Sequence, residues 1–368
     1  MKDTITIEKA HAFFRQFLVS AADVEPAEHD FLLGDVRFPI GEITIIAGSG
    51  GAGKGQLAAA HIAMATKGYN LDGVCAGEPV NCLFVSAEDT AADIRTRLDR
   101  SLFQADYSRA LITDKLSSYE YNMDLSGAIA KEKVESLILE THSRLVYIDP
   151  IQAFVGESTD LSRQNQVRKI MHTLATVAEE YRCCIVLLMH LNKRQSIVSA
   201  ADLLCGSSDI VNAARSVMLL TNDFRDGSPD RRFLFHIKSN HARPAKTLEI
   251  NIGSAGNRIV GESDLTEEDY VVAVNSRRAQ KRAKAEVNYE QLFYSGIEQM
   301  IAEGTYQSTF REFVERFAQG FQGRVKCVLD EIALRVEENL GYVIQMRSTK
   351  NFPLKIGTET GFRIFKFK

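Results

Sequence analysis

No stretch of the 368 residues comes near the roughly 20 consecutive apolar side chains a membrane-spanning helix requires, so no membrane partner is expected. The opening residues MKDTITIEKAHAFF lack the apolar block of a signal peptide, which points to the cytoplasm. Cysteine is scarce: six residues, at 75, 82, 183, 184, 205 and 327, with no C-x-x-C pair. Set in apolar surroundings, they read as buried thiols of a reducing compartment and argue against a disulfide framework or a zinc site. Positive charge is not in excess, with 44 Lys and Arg against 48 Asp and Glu, which excludes attraction to nucleic acid over the whole chain.

The rest of the composition, 45% hydrophobic and 25% charged, is that of an ordinary globular protein with room for roughly two domains. Charge is uneven along it. From Val271 onward there are 16 Lys and Arg against 11 Asp and Glu, a mildly basic tail on an acidic body. Such a tail is either a pointer to nucleic acid or a solvated surface.

The chain is organised around residues 42–62, EITIIAGSGGAGKGQLAAAHI. Ile43 to Ala47 reads as a buried parallel strand, Gln56 to Met64 as a helix, and between them runs Gly48, Ser49, Gly50, Gly51, Ala52, Gly53, Lys54. Strand, glycine loop, Lys and helix is the phosphate-loop arrangement G-x-x-x-x-G-K. Glycines let several N–H groups face one concavity, the helix N-terminus adds partial positive charge, and Lys54 supplies a cation for the outer phosphates. The following residue, normally a Ser or Thr that touches magnesium, is Gly55, with Gln56 after it. Metal would then be held through water, by another residue, or weakly.

Three later strands end in polar groups. Asn81 to Val85 leads into Ser86-Ala-Glu88-Asp89; Arg144 to Ile148 ends in Asp149; Cys183 to Met189 ends in His190. The C-terminal ends of parallel strands form the usual ligand edge of an open α/β sheet. Glu88 is the candidate base for a water attacking the γ-phosphate, the alternative being a helix start in which Asp89 caps and Glu88 complements the dipole. Asp149 is the candidate magnesium residue, acting through water. His190 either senses the γ-phosphate or is structural. Arg215 lies in the otherwise apolar run Ile210 to Leu220 and needs a partner, an internal carboxylate or a phosphate of the next subunit. Residues 233–238 and 247–252 alternate as a strand pair, and 257–260 reads as one strand more.

Beyond a basic run at 276–284, read as a linker or exposed helix, three amphipathic segments (289–302, 308–317, 324–340) precede two alternating strands (342–346, 362–367). Three helices and a hairpin suggest a winged helix, a fold serving either DNA binding or protein docking. Its third helix offers Arg324, Lys326 and Arg335, and its wing Arg347, Lys350 and Lys355, but Asp330, Glu331, Glu337 and Glu338 on that helix oppose groove binding.

GSGGAGK, SAEDTAADIRTRL, LVYIDP, NQVRKIM, LLMHLNK and GSSDIVNAAR, in this order, resemble the RecA-like hexameric replicative helicase family, in particular its plasmid RepA-like, AAA-type ATPase subgroup from mobile elements. The resemblance covers about 31–260. It implies an α/β, mostly parallel RecA-like P-loop NTPase core, using ATP and magnesium. It makes Lys54 the phosphate contact, Glu88 the catalytic carboxylate, Asp149 the metal residue, His190 the γ-phosphate sensor and Arg215 a finger reaching the neighbouring subunit. Lys238 is a looser match to a second cation acting in trans, and Lys193 and Arg194 would touch single-stranded DNA in a central channel.

The expectation is therefore a helical extension (1–30), an ATPase domain (31–265), a basic linker (266–285) and a winged-helix-like domain (286–368). The expected function is an ATP-dependent, ring-forming helicase, a hexamer, in plasmid, phage or integrated-element replication, working with single-stranded DNA and with an initiator or primase. The rivals are an ATPase helicase loader or recombination mediator, and a nucleotide-gated DNA-binding or assembly protein with little turnover.

Overall fold

The computed structural model describes residues 13–26, 28–116, 123–156, 164–191, 199–204, 208–225, 227–253, 256–319, 321, 323–346, 355–356 and 359–366. The chain divides into two compact units, residues 1–271 and 272–368.

The first unit is built on one nine-stranded sheet. Its strands are β1 (Ile43–Gly48), β2 (Asn81–Ser86), β3 (Ala110–Thr113), β4 (Ser143–Asp149), β5 (Cys184–His190), β6 (Ser216–Asn222), β7 (Arg231–Ser239), β8 (Thr247–Gly253) and β9 (Gly256–Ser263). They lie in the order β3-β2-β4-β5-β1-β6-β7-β8-β9. The first six run parallel and the last three are added antiparallel. The helices are α1 (Lys54–Ala65), α2 (Ala91–Asp99), α3 (Ala130–Thr141), α4 (Gln164–Glu180) and the short α5 (Ser208–Ala213).

The apolar strands follow from burial on both faces. Ile46, Phe84, Tyr147, Leu188 and Met218 join one core with Leu57 and Ile62 of α1. Their neighbours Ile45, Val85, Ile148, Leu187 and Val217 join a second with Leu174 and Val177 of α4. Successive residues face opposite sides, so a strand covered twice must be apolar throughout. The parallel strands thereby bring the ends of β1, β2, β4 and β5 to one sheet edge: Gly48 registers with His190, and Ser86 with Asp149.

Of the cysteines described, Cys82, Cys183 and Cys184 are buried and free, whereas Cys75 and Cys327 are free but exposed. The expectation of uniformly buried thiols therefore fails at these two. Cys75 lies in the loop between α1 and β2, outside both cores, and Cys327 lies in the first turn of a C-terminal helix on its solvent side.

The basic run 276–284 is helical, part of α6 (Glu267–Ala302), within which the boundary between the two units falls. The second unit continues with β10 (Gln307–Thr309), α7 (Phe310–Phe317), α8 (Val325–Leu340), β11 (Tyr342–Gln345), β12 (Lys355–Ile356) and β13 (Glu359–Lys366). β13 is the central strand, paired antiparallel with β10, β11 and β12. Phe293, Ile297, Phe313, Leu329, Ile332, Val336, Phe362 and Ile364 form its core. Residues 308–309, read as helical from the sequence, belong to β10 instead. Thr309 starts α7 through a capping box, accepting from the Glu312 N–H at 3.1 Å while Glu312 accepts from its own. Arg347 and Lys350 lie outside the described residues.

Candidate active site

The loop between β1 and α1 is shaped by its glycines. Gly51 and Gly53 have φ of +74° and +94°, the left-handed region glycine enters without strain. Gly53 is doubly constrained, since a Cβ there would lie 2.7 Å from Cδ1 of Ile252. The antiparallel strands brace the loop from outside. Nε of Arg232 (β7) donates to the Ala52 carbonyl at 3.0 Å, and Asn257 (β9) donates to Oε1 of Gln56 at 2.7 Å. Gln56 is thus tied to the sheet. The first N–H groups of α1, which have no partners within the helix, make the loop a cradle for an anion.

Lys54 opens α1 and is almost wholly buried. Its ammonium donates to the carbonyls of Gly48 (3.0 Å) and Ser49 (3.3 Å) and lies 3.4 Å from Nδ1 of His190. Burial pushes its pKa down, against the pull of Asp149 and Glu88. An ammonium only donates, so Nδ1 is placed to accept from it, and Nε2 of the same ring lies 3.5 Å from Oε1 of Glu88.

Glu88 follows β2 and is not a cap. Thr90 caps α2, accepting from the Asp93 N–H at 3.2 Å, with Asp93 completing a capping box. Asp89 does not cap either; both its oxygens take the guanidinium of Arg97. Glu88 is left half-exposed beside His190. At the end of β4, Asp149 is 6% exposed, and burial pushes its carboxyl up to about 6 in spite of Lys54. A cleft of about 210 Å³ runs between the loop (Gly51, Gly53–Gln56) and the side chains of Glu88, Asp89, Arg97, Asp149 and His190.

Of the residues singled out in the sequence, Gly48 to Gln56, Lys54, Glu88, Asp149 and His190 are brought together at this edge. Arg215 and Lys238 are not. The Arg215 N–H donates to the carbonyl of Ile43, the first residue of β1, whereas the loop follows its last. Five strand steps of about 3.3 Å separate the two ends. Arg215 lies 3.6 Å from Glu42, an internal carboxylate that His241 also engages, and its side chain is nearly half exposed. Lys238 donates to the carbonyls of Val211, Asn212 and Ala214, at the end of α5. Lys193 and Arg194 lie outside the described residues.

Two site residues were not singled out from the sequence. Arg232 gave no signal, because its contact depends on sheet order. Arg97 shares α2 with Arg95 and nothing in the sequence set it apart, although the Gly at position 55 was the sign that something else must fill that space.

A triphosphate fits the site through the loop N–H groups and Lys54. For magnesium the fit is narrower. Asp149, with Glu88 and Asp89 nearby, supplies the carboxylate oxygens that suit a hydrated ion, and Asp149 would hold it through water. No side chain at position 55 can bind it directly, and no group of three or more His, Cys, Asp or Glu placed to hold a metal occurs among the described residues. When bound, the ion would neutralise charge on the β- and γ-phosphates.

No curated protein matches the chain closely enough to serve as a relative. Residues 10–196, a little over half of the chain, match the family model of the AAA domain. That span carries the phosphate loop, Glu88, Asp149 and His190, and with it the chain belongs to the AAA-domain family of P-loop ATPases.

Proposed function

We propose that this protein is a ring-forming ATPase of a DNA replication system, of the RepA-like helicase type, which hydrolyses ATP between subunits and moves on single-stranded DNA. The observation that carries the reading is the position of Arg215. One chain supplies the phosphate cradle, Lys54, the carboxylates and His190 at one sheet edge, while Arg215 and Lys238 lie at the opposite ends of the strands. An arginine so far from its own nucleotide suits a finger that serves a neighbour's, which favours a closed ring of identical subunits. In the chemical step Glu88 would take the proton of the attacking water, Lys54 would bind the outer phosphates, and His190 would report the γ-phosphate to the chain that follows β5. The three helices and antiparallel sheet of the second unit support a winged-helix-like module. Arg324 and Lys326 are exposed there, whereas Arg335 is engaged by Glu290 at 4.0 Å and by the Tyr294 ring.

The test is ATP hydrolysis with and without single-stranded DNA, followed by strand displacement on a forked duplex. Stimulation by single strands together with displacement is expected. Stimulation without displacement would move the protein to the loader or mediator class. Slow turnover indifferent to DNA would favour the nucleotide-gated assembly protein, the reading that Gly55 supports.

A further inference from the structure

Arg97 reaches from the last turn of α2 to the phosphate loop. Its guanidinium occupies the space that a side chain at position 55 would fill: a Cβ on Gly55 would overlap Nη1 of Arg97, approach its Cζ to 3.3 Å and lie 3.5 Å from Oδ2 of Asp149. Asp89 holds the guanidinium by both oxygens, with Nη2 to Oδ1 at 2.6 Å. Those two bonds use part of a five-donor fork. The group is 22% exposed and lines the same cleft as Lys54, Asp149 and Glu88.

Position 55 is where a phosphate loop ordinarily presents the hydroxyl that touches the metal. Here both the volume and the positive charge at that point come from a guanidinium. The charge balance of the cleft explains why one is needed. Glu88, Asp89 and Asp149 oppose Lys54 and Arg97, and a triphosphate brings more negative charge still. Without Arg97, one lysine would face three carboxylates and the phosphates together. A guanidinium is also suited to phosphate oxygens, being permanently charged and able to donate two parallel bonds.

We propose that Arg97 is a phosphate-binding residue acting within its own chain, seated where a hydroxyl-anchored metal would otherwise be, with Gly55 as the residue that makes room for it and Asp89 as its holder. The inference rests on the reading of the cleft as a nucleoside triphosphate site. Its consequence is that this protein binds ATP without magnesium, so that the ion contributes to turnover rather than to capture.

The test is calorimetric titration of the full chain with ATP, in EDTA and in excess magnesium, for the wild type, Arg97→Ala, Arg97→Lys, Gly55→Ser and Lys54→Ala. The wild type is expected to bind in EDTA within about threefold of its affinity in magnesium, and Arg97→Ala to lose about tenfold or more in EDTA. Arg97→Lys, which keeps charge without the fork, should fall between them. Gly55→Ser should push the guanidinium aside and make binding depend on magnesium. Circular dichroism identifies any variant that fails to fold, and Gly55→Ser with Arg97→Lys then decides the matter. Wild-type binding that requires magnesium, or Arg97 variants equal to wild type in EDTA, would overturn the proposal while leaving the nucleotide site intact. If the wild type binds ATP in neither buffer, the nucleotide reading falls and this inference with it. A Lys54→Ala variant that has lost binding while the wild type retains it separates that case from failure of Arg97 alone.

Discussion

Nζ of Lys54 lies 3.4 Å from Nδ1 of His190, so the cation of the phosphate loop and the residue that ends the adjacent strand are in direct contact. His190 also faces Glu88, and so links the group that binds phosphate to the group that would activate water. Removing the ring should uncouple the two while sparing the cradle. For His190→Ala we expect turnover to fall about 10- to 100-fold, with ATP affinity changed less than about threefold, because the residue acts after binding. Separate measurement of kcat and Kd checks this. An equal loss in both would assign His190 to simple binding.

Glu88→Gln keeps the shape of the side chain and removes its basicity. In the proposed role of general base, its loss should lower kcat by about 100-fold or more. ATP affinity should stay the same or rise, since one carboxylate no longer repels the phosphates. Single-turnover hydrolysis alongside equilibrium binding distinguishes this from a defect in nucleotide capture. Unchanged turnover would return Glu88 to the role of a surface acid beside the capped start of α2.

Arg215 and Lys54 lie at opposite ends of the strands, and this makes a mixing experiment decisive. Lys54→Ala and Arg215→Ala should each be inactive alone. When mixed, a Lys54→Ala subunit can lend Arg215 to the intact loop of an Arg215→Ala neighbour, so part of the ATPase activity should return. Arg215→Ala should still bind ATP as a lone subunit. Activity that stays absent on mixing, with both variants assembling normally, would place the role of Arg215 inside its own chain, in its pairing with Glu42.

The strands β1, β2, β4 and β5 and the polar residues at their ends were legible in the sequence for one reason. A strand buried on both faces writes itself as an apolar run, and Asp149 and His190 mark where such runs emerge. The start of α2 was harder, because Glu88, Asp89 and Thr90 can all serve a helix N-terminus; the Thr90-x-x-Asp93 spacing held the answer. Arg97 was hidden because its direction depends on helix phase, and its place on the absence of a side chain at position 55. β10 was hidden because its three residues are extended only through pairing with β13, more than fifty residues later. Arg215 showed as an anomaly, a charge in an apolar run, but its distance from the loop follows from β6 lying parallel to β1.

Two buried histidines should make this protein sensitive to mild acid. His61, in α1, lies against Tyr147 Oη at 2.7 Å, and burial, reinforced by Arg37, holds its pKa down to about 3. His236, in β7, accepts the Ala245 N–H on Nδ1 at 3.0 Å, and burial, again with Arg37, lowers it to about 4. Both folded-state values lie below the ordinary value of about 6.5, so the unfolded chain takes up protons that the folded chain refuses. The stability each imidazole contributes is therefore complete above pH 6.5 and declines as pH falls from there toward its folded pKa. Each should cost up to about 1.4 kcal/mol per pH unit across that window. Between pH 6.5 and 5 the carboxylates whose pKa values are lowered are still ionised in both states, whereas Asp149, raised to about 6, takes up its proton in the folded chain and offsets about one of the two histidines. Urea midpoints over this range should drop in the wild type by the excess of two histidines over Asp149, and His61→Gln should remove most of that slope. An unchanged slope in that variant would show that the ring at position 61 takes up its proton in the folded protein as readily as in the unfolded one.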